Sequence, residues 1–161
     1  MGASFMRTLL ALGAALMLNH AQAEEVTSED AATDAAADSV VQIELTGLES
    51  AEGNLFIAVY DSKKTWLGDE TVAQQKVVIA DSREDGIVKA ELQLPPGEYA
   101  LSIFHDSNDN GELDANFIGI PKEPVALSNN ARPKFGPPKY KDAVFELGAD
   151  PVLQQISMEE I

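Results

Sequence analysis

The sequence predicts an all-β domain, an antiparallel sandwich of seven short strands carrying one long ordered loop over residues 106–139. Three observations carry this reading. Apolar residues recur with period two along most of residues 40–161. Gly, Pro, Asn and Asp punctuate the intervals, and no stretch of this segment sustains a helical period with caps. Two sheets that each bury one face against the other satisfy such a pattern economically.

Residues 1–23 read as a cleaved signal peptide. Arg7 supplies the positive start, Leu9 to Leu18 the apolar run, and Ala21 and Ala23 the small residues read by a signal peptidase. The apolar run is too short to span a bilayer core, which needs about 20 residues. Cleavage leaves 10 basic against 27 acidic residues, a net charge of −17, and a single histidine, His105. Residues 24–39 hold six acids, no base and one large aliphatic residue, Val26, so they read as an acidic disordered linker. The β-sandwich domain follows over residues 40–161.

The strands follow in order. Val41, Ile43 and Leu45 alternate with Gln42, Glu44 and Thr46, which places one face on a core and one in water. Leu55 to Tyr60 is apolar on both faces, as a central strand requires. Lys76 to Ala80 is the third candidate, and Val88 to Leu94 alternates as cleanly as the first. Tyr99 to His105, Ala143 to Leu147 and Val152 to Met158 complete the set. Between the fourth and fifth strands, Leu94-Pro95-Pro96-Gly97-Glu98-Tyr99 sets a tight turn, after which Tyr99 enters with its ring inward and its hydroxyl towards nearby backbone. This Pro-Gly-x-Tyr pattern resembles transthyretin-like and carboxypeptidase regulatory-like sandwiches, within the broader Ig-like class.

After His105 the strand rhythm stops for 34 residues. A loop of that length in a compact domain is uncommon, and its apolar content (Phe117, Ile118, Ile120, Val125, Leu127, Phe135) predicts packing on the sandwich. Its first half is acidic and its second half basic, with Lys122, Arg132, Lys134, Lys139 and Lys141. Within the first half, Asp106, Asn108 and Asn110 occupy positions one, three and five of an EF-hand-type calcium loop. Gly111 takes the turn position, Glu112 offers a backbone carbonyl, and Asp114 stands at position nine. Position twelve is Phe117 instead of a bidentate Glu, and flanking helices are missing, so the segment is not an EF-hand. A calcium ion there needs another acid, with Glu123 and Asp61 as candidates. The competing reading is an Asn/Asp/Gly turn whose side chains bond their own backbone.

His105-Asp106-x-Asn108-x-Asn110-Gly111-x-Leu113-Asp114-x-Asn116, Gly119-x-Pro121-Lys122-Glu123, Ser128-Asn129-Asn130-Ala131-Arg132 and Phe135-Gly136-Pro137-Pro138 together resemble an exported bacterial family, domain-of-unknown-function family 2141. The resemblance runs from about Val41 to Met158. It implies an exported β-sandwich and brings no established activity.

Other chemistry is sparse. Without cysteine there is no disulfide, thiolate nucleophile or Cys-based metal site, and one mature histidine cannot build a histidine-rich one. His105 adjoins Asp106 and lies near Ser102 and Ser107, but adjacent residues of a strand point to opposite faces, and no nucleophile elbow exists. The strong negative charge opposes nucleic acid and anionic membrane surfaces as partners. The expectation is therefore an exported, periplasmic or extracellular, non-enzymatic domain. Calcium would be held by Asp106, Asn108, Asn110, Glu112 and Asp114, no other cofactor is expected, and nothing inserts into a membrane once the signal is removed. One alternative is a small periplasmic hydrolase using acids and His105. Another is a protein- or glycan-docking module that uses Trp66 and the basic half of the loop.

Overall fold

The computed structural model describes residues 37–133 and 136–158. The signal-peptide reading of residues 1–23 and nearly all of the 24–39 linker lie outside the described residues. Ser39, placed at the end of that linker, is instead the first residue of β1 (Ser39–Thr46), where it is buried and donates to the Ala149 carbonyl at 3.2 Å.

Strand β1 buries Val41, Ile43 and Leu45, as its alternation demands. It pairs antiparallel with β5 (Ile87–Leu94), and the register sets Val41 opposite Leu92 and Leu45 opposite Val88. The apolar residues of both strands thus share one face. Strand β4 (Arg83–Glu84) folds back on β5 through a two-residue Asp85-Gly86 turn, both residues at positive φ, the geometry that hairpin twist favours. On the other side of β1 lies β9 (Val152–Ser157), giving the order β4-β5-β1-β9.

The second sheet is built on β6 (Gly97–Asp106), which pairs with β2 (Asn54–Tyr60) along most of its length. Strand β3 (Ala73–Val78) flanks β2, as the doubly apolar character of β2 requires. Strands β7 (Val125–Leu127) and β8 (Phe145–Leu147) pair with successive parts of β6, Ser102–Phe104 and Gly97–Tyr99. Leu45, Val88, Ile156 and Met158 from one sheet side meet Leu55, Ile57, Leu101 and Ile103 from the other in one buried cluster. The all-β, two-sheet expectation is met.

Four expectations need correction. Nine strands are present among the described residues instead of seven, because β4 and β7 are too short to establish a period. The sandwich is not wholly antiparallel: β9 runs parallel to β1, pairing Val41 with Val152 and Leu45 with Ile156. The third strand does not continue to Ala80. The chain turns into a single helical turn, α1 (Ile79–Ser82), which still buries Ile79 completely. Finally, residues 106–139 are not one loop. They contain β7 and a 3₁₀ turn at Ser128–Asn130, and a second helical turn, α2 (Tyr140–Ala143), follows. The Tyr99 expectation holds, since its buried ring ends in a hydroxyl that donates to the Pro95 carbonyl at 2.9 Å.

Candidate functional site

The antiparallel register of β2 and β6 brings Asn54 opposite Asp106 at one end of the second sheet. The β1–β2 turn reaches the same end. Gly53 there has φ +81°, and a Cβ on it would lie 2.2 Å from the Asp106 carbonyl oxygen, so no side chain fits. His105 is almost fully buried beneath this turn, with Nε2 2.7 Å from the Glu52 carbonyl and its backbone N–H donating to the Pro124 carbonyl at 3.0 Å. A bond to a carbonyl oxygen requires Nε2 to carry a proton and donate it. It joins two turns to the strand end.

From Asp106 the chain coils back on itself through its own side chains. The Asp106 carboxylate has no solvent exposure, and its two oxygens accept the N–H groups of Asn110 at 3.1 Å and Gly111 at 2.9 Å. Such charge-assisted bonds offset the cost of burying the group. Asn108 Oδ1 also accepts the Asn110 N–H at 3.0 Å, and Asn110 Oδ1 accepts the Glu112 N–H at 2.8 Å. These are Asx turns in succession. Asn108 Nδ2 donates to Asp114 Oδ2 at 2.7 Å, closing the coil across its middle. Gly111 sits at φ +79° with open space where a Cβ would be, so the position needs glycine for its dihedral and not for room.

Glu123 is the acid that arrives from outside the motif. It is 6% exposed, and its two oxygens accept the N–H groups of Ser107 at 3.1 Å and Asp114 at 3.0 Å, one from each end of the coil. Of the two candidate completing acids, the structure thus brings Glu123 to the site. Asp61 lies at the far end of β2, where its charge acts on Tyr99 and Tyr140. Asp109 faces outward and accepts from Asn54 Nδ2 at 2.7 Å and Lys76 Nζ at 3.0 Å. That ion pair is about half exposed on both sides and is worth under about 1 kcal/mol. Glu112 is exposed. Among the described residues no three His, Cys, Asp or Glu side chains form a metal-holding group, so any cation here would draw on amide and carbonyl oxygens as well as carboxylates.

Beside the coil runs a cleft of about 260 Å³ bordered by Leu48, His105, Ser107, Lys122, Glu123 and Met158. The side-chain bonds of His105 and Asp106 go to separate backbone groups, and no Ser-His-Asp relay links them. Trp66, a docking candidate from its sequence position, is half-buried. Its ring meets Tyr60 and Tyr140 edge-on at 5.2 and 5.8 Å, and its indole N–H donates to the Pro138 carbonyl at 2.9 Å. In the basic half, Lys122 borders the cleft and Lys141 pairs loosely with Asp142, while Lys134 lies outside the described residues.

Sequence reasoning gave no role to Ser128, Asn129 and Asn130. Ser128 is fully buried: its Oγ accepts the Leu101 N–H at 2.8 Å and donates to the Ala143 carbonyl at 2.6 Å. Asn130 lays its amide along β9, donating to the Gln155 carbonyl at 3.0 Å and accepting the Ser157 N–H at 2.7 Å. Both asparagines take left-handed φ, 56° and 51°, which asparagine tolerates. An Asn-Asn pair is the available signal for such a turn.

No curated protein and no solved structure matches the chain. A family model described as "Uncharacterized protein conserved in bacteria (DUF2141)" matches residues 43–155. That span holds the coil from Asp106, its buried Glu123, the Ser128–Asn130 turn and nearly all of both sheets, and the chain belongs to this family of uncharacterised bacterial proteins.

Proposed function

We propose that this chain is an exported, non-enzymatic β-sandwich domain of Ig-like or transthyretin-like type, periplasmic or extracellular once residues 1–23 are removed. Its Asp106–Asp114 coil is organised by a calcium ion, in a binding or envelope-structural role. The observation that carries the reading is the buried carboxylate of Glu123 at the base of the coil. Position twelve of the motif lacks an acid, and Glu123 is bonded to both ends of the coil it would complete. The donors are the side-chain oxygens of Asp106, Asn108, Asn110 and Asp114, the Glu112 carbonyl, and Glu123. In the hydrogen bonds described above each side-chain oxygen accepts one N–H, which leaves a further lone pair for a hard cation. Two of the motif's donors are neutral amides, so the affinity belongs with the weaker extracellular calcium modules, with Kd of roughly 10⁻⁴–10⁻³ M. Calcium would hold oxygen ligands at this end of the sandwich and add rigidity to the loop; it performs no reaction.

The test is a high-resolution map from crystals soaked in calcium. The proposal expects an ion bounded by Asp106, Asn108, Asn110 and Asp114 with oxygen distances of about 2.3–2.6 Å. Water alone in the coil, hydrogen-bonded at longer distance, refutes it.

A further inference from the structure

Between Asp114 and Lys122 lie seven uncharged residues, Ala115 to Pro121, that form a small closed hairpin. Ala115 bridges Pro121, and the Lys122 N–H donates to the Asp114 carbonyl at 2.8 Å. At its tip the large apolar side chains point away from the protein. Phe117 is 98% exposed, Ile118 64% and Ile120 45%, with Leu113 at 40% just before the hairpin. A contiguous exposed apolar group of this kind marks an interaction surface.

The backbone of the tip narrows the choice of partner. Asn116 Oδ1 accepts the N–H groups of both Ile118 and Ile120 at 3.0 Å. The Asn116 N–H donates to the Ile120 carbonyl at 2.8 Å, and the Gly119 N–H to the Asn116 carbonyl at 2.9 Å. Pro121 has no N–H. The N–H groups of Asn116, Ile118, Gly119 and Ile120 are therefore satisfied within the hairpin, which lowers the cost of bringing this irregular backbone against an apolar medium. The tip is uncharged; Glu112 and Asp114 precede it and Lys122 follows it. The two acids outnumber the one base, and the net charge of −17 left after cleavage repels anionic headgroups and carries no such penalty against zwitterionic ones.

We propose that the Phe117–Ile120 tip seats shallowly in the interface of a zwitterionic lipid layer, burying Phe117 and Ile118 and tethering the exported domain reversibly. This is a peripheral contact and spans nothing. The seating needs only the hairpin and is independent of calcium.

The experiment is co-sedimentation of the chain from Glu24 onward with sucrose-loaded phosphatidylcholine vesicles in chelator. The first 23 residues are omitted because their apolar run would itself partition into lipid. The wild type is expected in the vesicle pellet, with less bound when phosphatidylglycerol replaces part of the phosphatidylcholine. Phe117→Asp/Ile118→Asp is expected to lower partitioning roughly tenfold or more, since each side chain loses its apolar transfer. Because both positions are exposed, the variant's thermal unfolding should match the wild type and exclude misfolding. Wild type that stays in solution, or that pellets without lipid, or a variant that binds equally, overturns the proposal. Pelleting without lipid would point instead to association between copies of this chain.

Discussion

Asp106 and Glu123 are buried acids held by backbone N–H groups, and each fixes a different part of the same coil. Asp106 was legible in the sequence because Asx residues spaced by two announce side chains that turn on their own backbone. Glu123 enters the sequence reading only as a replacement for the acid missing at position twelve, where Phe117 stands; it lies sixteen positions from Ser107, and spacing alone says nothing of that contact. Ser128 was not legible at all. A serine reads as surface, and only the folded chain shows that its hydroxyl bonds the buried Leu101 N–H. The three tyrosines of the chain give a further test at this scale. Burial is the main cause that raises all three above the usual phenol value of 10.0, with the neighbouring acids Asp69, Asp61, Asp38 and Glu98 adding to it. A raised folded value favours the neutral phenol. The stability it contributes is therefore fully present below about pH 10 and lost as pH rises through the folded values. Phenolate absorbance should titrate with midpoints above 10 in the folded protein and near 10 in denaturant. Folded midpoints at or below 10 would contradict the burial of these rings.

At the scale of elements, strands with long alternation were readable and short or borrowed ones were not. Val41–Leu45 and Val88–Leu94 carry enough residues to fix their faces, and the register follows. Arg83–Glu84 and Val125–Leu127 have no period to read; their partners β5 and β6 create them. The direction of β9 is likewise silent, because alternation is identical in parallel and antiparallel strands. Turn α1 lacks a side-chain cap, the usual local signal of a helix start. Elements also meet at Gly53, where the β1–β2 turn presses on the end of β6. Gly53→Ala should cost about 2–4 kcal/mol, from the positive φ together with the clash against the Asp106 carbonyl. Gly111→Ala, with the same sign of φ and open space, should cost only about 1 kcal/mol. Urea midpoints compare the two directly, and equal losses would mean that the close approach at Gly53 does not matter.

For the molecule as a whole, two sheets seal one core, and the chemistry gathers at the end where Asn54, His105 and Asp106 emerge. The acidic coil, the cleft beside His105 and the apolar hairpin all grow from that end, while the Trp66–Tyr60–Tyr140 cluster occupies other turns. A cation bound by the coil would join segments that the sandwich core does not reach, so its effect belongs to the stability of the entire fold. Calcium at about 100 times its dissociation constant adds about 2.7 kcal/mol, a shift of several degrees in the melt. The decisive measurement is thermal unfolding of the chain from Glu24 onward after chelation, with and without added calcium, for wild type, Asp106→Ala and Asp114→Ala. Asp114→Ala matters because its carboxylate is bonded only to the Asn108 side chain in the contacts described, so the variant should keep the fold. An upward shift with calcium is expected in the wild type and none in either variant. No shift in the wild type, or the same shift in all three, would leave the coil an Asn/Asp turn that organises itself.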